Sequence, residues 1–209
     1  MLKKSRIPVS TVNRLSLYLR VFSQIEAGGH ATVASRELAA LSGINPAQVR
    51  KDLAYFGQFG RRGVGYAVAS LKHQIRGILG LDRDWNCAII GMGHLGQALL
   101  MYKGLRHQGF NVVAAFDSDP DKIHWELEGV PVYDIAELGS VAQEKKLEIA
   151  ILAVPGAVAH EVAEQVARAR IPAILNFAPV PLHLGPGVIL RQVDLAGELE
   201  ALSYQLQKL

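Results

Sequence analysis

The sequence predicts an α/β protein in three parts. A winged-helix domain over residues 1–80 precedes a doubly wound parallel sheet over 81–193, and one helix over 194–209 closes the chain. Three observations predict this. Basic residues are concentrated in the first 80 positions. A sharply capped helix at Asn45-Pro46 follows a short helix and a glycine turn. A G-x-G-x-x-G run at residues 91–96 opens a stretch in which apolar strands alternate with helices.

The charge split comes first because the net +3 conceals it. Residues 1–80 hold 12 Lys and Arg against 3 Asp and Glu, a net +9; the rest holds 10 against 16, a net −6. A polyanionic partner is therefore expected for the first part alone. At 209 residues and 50% hydrophobic, the chain can bury the core of one large or two small domains. No apolar run nears the ~18 residues of a membrane span. The basic start MLKKSRIPVS is not followed by the apolar core of a signal peptide. The expectation is a soluble, cytoplasmic protein. The single cysteine, Cys87, lies in the apolar run NCAIIG, and we read it as a small core residue and not a redox sensor.

Residues 7–29 place Val12, Leu15, Leu19 and Phe22 on one helical stripe that Gly28-Gly29 ends. In VASRELAALSG, Ser35 can cap a short helix with Leu38 and Leu41 inward and Gly43 at the turn. Asn45 caps the next helix. Pro46 takes its first position, where a missing N–H costs nothing. Val49, Leu53 and Phe56 share one face, which turns Gln48 and Lys51 outward with Arg50 and Asp52 flanking them. This is the helix-turn-helix pattern. Ser35, Asn45, Gln48, Arg50 and Lys51 are its candidate DNA contacts, since amides and cations suit base edges and phosphates. In FGQFGRRGVGY, the glycines at 57, 60, 63 and 65 permit tight turns. Phe59, Val64 and Tyr66 alternate as in a hairpin continued by AVASL. A hairpin behind a recognition helix is a wing, and Arg61 and Arg62 at its tip suit the negative potential of a narrow minor groove. A helix and a linker near 81–86 complete this part.

CAIIGMGHLGQALLMYKGLRHQG reads as a strand, a glycine turn and a helix. Gly91 makes the turn, Gly93 admits a pyrophosphate, and Gly96 lets helix and strand pack closely. The helix start, with Met92, His94 and Leu95 in the loop, offers free N–H groups to phosphates. The second strand, FNVVAAFD, ends in Asp117, close to the spacing of the carboxylate that accepts adenine-ribose hydroxyls. An acid there repels a 2′-phosphate, so NAD(H) is expected over NADP(H). PVYD, EIAILAVP and PAILNFAP continue as strands with helices between them, which gives a Rossmann sheet. Its ligand edge would carry Gly91, Asp117, Val154-Pro155 and Asn176-Phe177, the last two groups beside the nicotinamide. In the final helix, which Asp194 caps, Leu195, Leu199, Leu202 and Leu206 form an apolar seam. Docking on its own sheet or exchange with a second subunit would bury that seam, and the latter makes a homodimer.

A dehydrogenase also needs a substrate region and a proton donor beside the nicotinamide. Little chain remains for one. His94 lies in the phosphate loop, the other histidines follow no motif spacing, and no Ser/His/Asp constellation or metal-ligand spacing stands out. The reading is a DNA-binding head joined to a nucleotide sensor, with no catalytic residue and no metal. Two alternatives stay open: a small NAD-dependent reductase with a basic accessory domain, and a winged-helix regulator sensing another adenine nucleotide such as a CoA thioester.

The chain resembles the Rex family of redox-sensing transcriptional repressors through QVRKDLAYFGQFGRRGVGY, GMGHLG, AAFDSDP, ILNFAPVPL and VDLAGELEALSY, in that order along nearly its whole length. The first stretch is specific to the family; the glycine motif alone is not. The resemblance implies a homodimer with a C-terminal helix swapped between subunits. It implies palindromic operators of respiratory and fermentative genes, release from them by NADH, and a DNA-bound form favoured by NAD+. It also implies an allosteric relay whose matching positions are Arg20, Tyr102 and Asp194.

Overall fold

The structure, a computed structural model, describes residues 7–55, 60–61 and 65–208. It divides into two units, Met1–Arg83 and Asp84–Leu209.

In the first unit, α1 (Val9–Ala27) packs with α2 (Ser35–Ser42), α3 (Pro46–Ala54) and α4 (Val68–Ile78). Three short antiparallel strands, β1 (Thr32–Val33), β2 (Gly60–Arg61) and β3 (Gly65–Ala67), lie in the order β1-β3-β2. Leu15, Phe22, Leu38, Val49, Leu53, Leu71 and Ile75 are fully or almost fully buried. Each such side chain stabilises the fold by about 2 kcal/mol relative to exposure.

The apolar stripe of α1 is rotated from the one read in sequence. Val12 lies at the edge and is exposed, while Thr11, Tyr18, Val21 and Ile25 are buried beside Leu15, Leu19 and Phe22. Ser35 does not cap α2: Ala34 holds the cap position and Ser35 is the first helical residue. Leu41 points outward, and Ala39 joins Leu38 inside. Gly43 ends α2 in the left-handed region, φ 67°. The Asn45 cap is present, its side chain accepting from Ala47 N at 2.8 Å with Pro46 next in line. The β2–β3 hairpin pairs Arg61 with Gly65, but AVASL does not extend it, because α4 begins at Val68. Gly65, at φ +88°, lies so close to β1 that a Cβ would come within 2.5 Å of Val33 O. Phe56, Phe59, Arg62 and Val64 fall outside the described residues.

The second unit carries a seven-stranded sheet. β4 (Trp85–Ile90), β5 (Phe110–Asp117), β6 (Glu126–Leu127), β7 (Val130–Asp134), β8 (Ile149–Leu152), β9 (Ala173–Asn176) and β10 (Ile189–Gln192) stand in the order β10-β9-β8-β4-β5-β7-β6. Every neighbouring pair is parallel except β6–β7. The parallel strands run outward in chain order in both directions from β4, which makes the gap between β4 and β8 the topological switch where such sheets bind ligands. Register sets the ligand edge. Ile90 pairs with Phe116 and Leu152, and Leu152 with Asn176, so Gly91, Asp117, Ala153 and Phe177 emerge together.

The helix after the glycine turn is not continuous. α5 (His94–Met101) stops at Tyr102, which adopts φ −74°, ψ 95°, and α6 (Lys103–His107) restarts the chain. The Tyr102 ring lies over Gly104, where any Cβ would overlap it. α7 (Leu138–Glu144) and α8 (Gly156–Arg168) bury Leu138, Val141, Ala159, Ala163 and Val166 against the sheet. α9 (Leu195–Leu206) starts with the Asp194 side chain accepting from Gly197 N at 2.9 Å, and none of its residues is buried.

Candidate functional site

The glycine loop is built from close approaches. Gly91 holds φ +95°, and a Cβ there would sit 2.6 Å from Ala153 O. A Cβ on Gly96 would overlap Gly91 O, whereas Gly93 faces open space. One glycine thus forms the turn, one seals helix to strand, and one leaves room for a ligand. Above them a cavity of about 760 Å³ is lined by Gly91, Gly93, His94 and Leu95, by Asp117, and by Val154, Pro155 and Phe177. Its size suits a coenzyme, and it abuts the start of α5, where unpaired N–H groups favour phosphate. A cavity of about 890 Å³ opens elsewhere in this unit, beside Tyr102, Lys103, Arg106, Phe110 and Lys145. It lies at the strand starts, without the glycine loop or the switch point, so the smaller cavity is the candidate site.

Asp117 organises the loop. Its Oδ2 accepts from Met92 N at 2.7 Å and its Oδ1 from Asp119 N at 2.9 Å. Lys122 Nζ lies 3.4 Å from Asp117 and 3.1 Å from Asp119, so one cation stands against two carboxylates and the edge stays net negative. Proximity to Asp119 first, and to Asp117, raises the Lys122 pKa and keeps it charged. The carboxylate read as a ribose acceptor therefore also fixes the loop it faces.

Two of the residues read from the sequence as coenzyme contacts lie in the interior. Met92 is wholly buried in the core and its N–H is committed to Asp117. Asn176 is wholly buried as well. Its Nδ2 donates to Val180 O at 3.1 Å and to Gln192 Oε1 at 2.7 Å, and its Oδ1 accepts from Ala178 N at 3.0 Å. Gln192 in turn donates to Ala178 O at 2.9 Å. These amides fold the loop after β9, whose Phe177 and Pro179 line the cavity, and are spent in doing so. Ser118, Asp119, Glu161 and Gln165 also line the cavity and escaped the sequence reading. The signal for the last two is the Val158, Glu161, Val162, Gln165 row at helical spacing on α8. Cys87 is buried, and burial with the Glu148 charge pushes its thiol up to about 12, which leaves it inert.

In the first unit the polar centre is Asp52, which sequence spacing had placed on a flank. It is wholly buried. Arg14 donates to it twice, from Nε to Oδ2 at 2.5 Å and from Nη2 to Oδ1 at 2.7 Å. Tyr18 Oη donates to Oδ2 at 2.9 Å and Gln48 Nε2 to Oδ1 at 2.7 Å. Burial pushes the carboxyl up, but the hydrogen bonds from Arg14, Gln48 and Tyr18 together outweigh it and hold Asp52 below the ordinary carboxylate value. Burial and the bond to Asp52 keep the Tyr18 hydroxyl protonated. Gln48 is accordingly half-buried and turned toward α1, not fully outward; Arg50 and Lys51 are exposed on α3. Arg50 Nη1 lies 3.4 Å from Ser35 Oγ, joining α3 to the start of α2. Arg20 is exposed on α1, and Tyr102 is 61% exposed between α5 and α6.

Comparisons with known proteins cover both units. A family model described as "CoA binding domain" matches residues 82–180, and one described as "Putative DNA-binding protein N-terminus" matches residues 6–54. A protein named redox-sensing transcriptional repressor Rex from Desulfitobacterium hafniense is 47% identical over 98% of this chain and 98% of its own length. One of the same name from Carboxydothermus hydrogenoformans is 44% identical over 99% of this chain and 100% of its own. Among solved structures, RSP in complex with β-NAD+ and operator DNA superimposes with a TM-score of 0.93 at 35% identity, over 98% of this chain and 94% of that one. RSP in complex with β-NADH superimposes with a TM-score of 0.89 at 34% identity, over 98% and 96%.

Proposed function

The chain belongs to the Rex family of redox-sensing transcriptional repressors, and from that premise we propose that it holds operator DNA as a homodimer and lets go when NADH occupies the crevice above the glycine loop. The carrying observation is that crevice, with open space over Gly93 and the Asp117 edge beside it, in a chain whose other unit is a winged helix.

The coenzyme is held by Gly91, Gly93, His94 and Leu95 at its phosphates and by Asp117 at its adenine ribose. Val154, Pro155 and Phe177 border its nicotinamide. The net negative edge at Asp117, Asp119 and Lys122 disfavours a ribose phosphate, which selects NAD(H) over NADP(H) and over CoA. Phosphate and ribose contacts are common to both redox forms. Only contacts at the ring, which differ by a hydride and one positive charge, can bias the dimer between its states. A complete swing needs about 5 kcal/mol of differential binding, and two sites per dimer share it. The crevice binds coenzyme without turning it over, and the protein acts in the cytoplasm, where its operators are.

On DNA, α3 enters the major groove with Asn45, Gln48, Arg50 and Lys51, Ser35 supports it from α2, and the hairpin brings Arg61 and Arg62 to the minor groove. The homodimer covers the leucines of α9, of which Leu195, Leu199, Leu202 and Leu206 are 55–67% exposed in the single chain. Asp194, at the entry to α9, reports ring state together with Arg20 and Tyr102. A mobility-shift titration of operator DNA tests the whole reading. The complex should persist with NAD+ and disappear with NADH. Equal behaviour with both coenzymes refutes it, and release by a CoA thioester but not by NADH would move the crevice to the other nucleotide class named by its family model.

A further inference from the structure

We propose that Asp52 fixes the amide of Gln48 so that α3 presents its side-chain oxygen to DNA, making Gln48 a reader of an exocyclic amino group in the major groove, on adenine N6 or cytosine N4. The inference rests on the DNA-binding reading above.

An ionised carboxylate only accepts hydrogen bonds, so the end of the Gln48 amide that lies 2.7 Å from Asp52 Oδ1 has to be the NH₂. Asp52 cannot turn to release it, because Arg14 clamps both of its oxygens and Tyr18 holds one of them. The opposite end of the amide, Oε1, has no partner among the described residues. No buried side-chain polar atom among those residues lacks a partner either, so Oε1 reaches solvent. Gln48 is the third residue of α3, in the N-terminal segment by which recognition helices touch base edges. A free glutamine can flip and offer either edge. This one offers an acceptor. Adenine N6 and cytosine N4 donate in the major groove, whereas guanine O6 and N7 and thymine O4 only accept. Asp52 is thus a positioning residue in the hydrophobic interior, and Gln48 the specificity-determining one at the surface.

The test starts from duplexes that the full-length wild-type homodimer enriches from a random-sequence pool. Along the enriched half-site, each adenine is replaced in turn by purine, which lacks the N6 amino group, and each cytosine by 2-pyrimidinone, which lacks N4. Keto-deleted analogues of guanine and thymine serve as the opposite probe. Wild type should lose roughly tenfold in affinity at one amino deletion per half-site, and Gln48→Ala should be indifferent to that same deletion. Asp52→Asn, which can accept from or donate to Gln48 and so lets the amide flip, should blunt discrimination at the same pair while its thermal unfolding stays cooperative. If Asp52→Asn does not fold, Gln48→Ala decides alone, since Asp52 keeps Arg14 and Tyr18 in that variant. The proposal is overturned if Gln48→Ala responds to every deletion as wild type does, or if the sensitivity it loses is to a keto oxygen. Failure of wild type to enrich any duplex would instead remove the DNA-binding reading beneath it.

Discussion

Asp52 in the first unit and Asp117 in the second each gather a site around one carboxylate, and they are fed from different sources. Asp117 takes its two shortest hydrogen bonds from backbone N–H groups, those of Met92 and Asp119, with the Lys122 side chain farther off at 3.4 Å, and keeps 11% of its side chain open to the ligand edge. Asp52 takes its bonds from side chains of four residues, Arg14, Tyr18, Gln48 and, at 3.4 Å, Thr11, and is closed to solvent. A carboxylate fed by backbone depends on where the chain turns, and glycines and strand ends announce that. A carboxylate fed by side chains depends on which residues distant helices bring to it, 34 and 38 positions away for Tyr18 and Arg14. The first arrangement tolerates changes of partner and is sensitive to added atoms. The second is the reverse.

Four measurements sharpen or break that contrast. Arg14→Leu leaves Asp52 buried without its cation and should destabilise the first unit by about 3 kcal/mol, read from urea unfolding, with NADH affinity unmoved. A stability within about 0.5 kcal/mol of wild type would mean the buried carboxylate does not need its partner. Gly96→Ala adds an atom that overlaps Gly91 O, and should weaken NADH binding by about 2 kcal/mol in calorimetric titration without affecting the α1–α3 core. Asp117→Asn keeps an acceptor for one of the two backbone donors and loses the charge. About tenfold in NADH affinity should go, and the preference over NADPH should narrow. The smallest effect is in acid. Asp52 has its folded pKa below the unfolded value of about 3.9, so its stabilisation is complete above that value and is lost as pH falls through the lowered one. The stability gap between wild type and Asp52→Asn should hold at neutral pH and close only below about pH 4. A gap that closes near neutrality would contradict the depressed pKa.

Legibility in the sequence followed the same division. The glycine loop, Asp117, the strand ends and the Asn45-Pro46 helix start were readable because each is a local backbone requirement with a characteristic residue. β1 and β6 were not, since two-residue strands carry no period and exist only through their partners. Nor was the break at Tyr102, which turns on a ring lying over Gly104. Helical spacing puts Asp52 on a flank because it gives an angle and not what lies across from it. The strand-end position of Asn176 does not reveal that its amide is bonded to Gln192, 16 residues on. Side-chain-to-side-chain bonds between distant residues leave no pattern in one chain's order.

The bareness of α9 has a consequence for numbers in the cell. A helix of 12 residues is at the length where an isolated helix is marginal in water, and this one has no buried residue to hold it. Its order must come from a surface that covers it, so in a homodimer the population of that helix is set by subunit abundance. Dilution alone would fray the segment that Asp194 opens, and a scarce repressor would answer its coenzyme differently from a plentiful one.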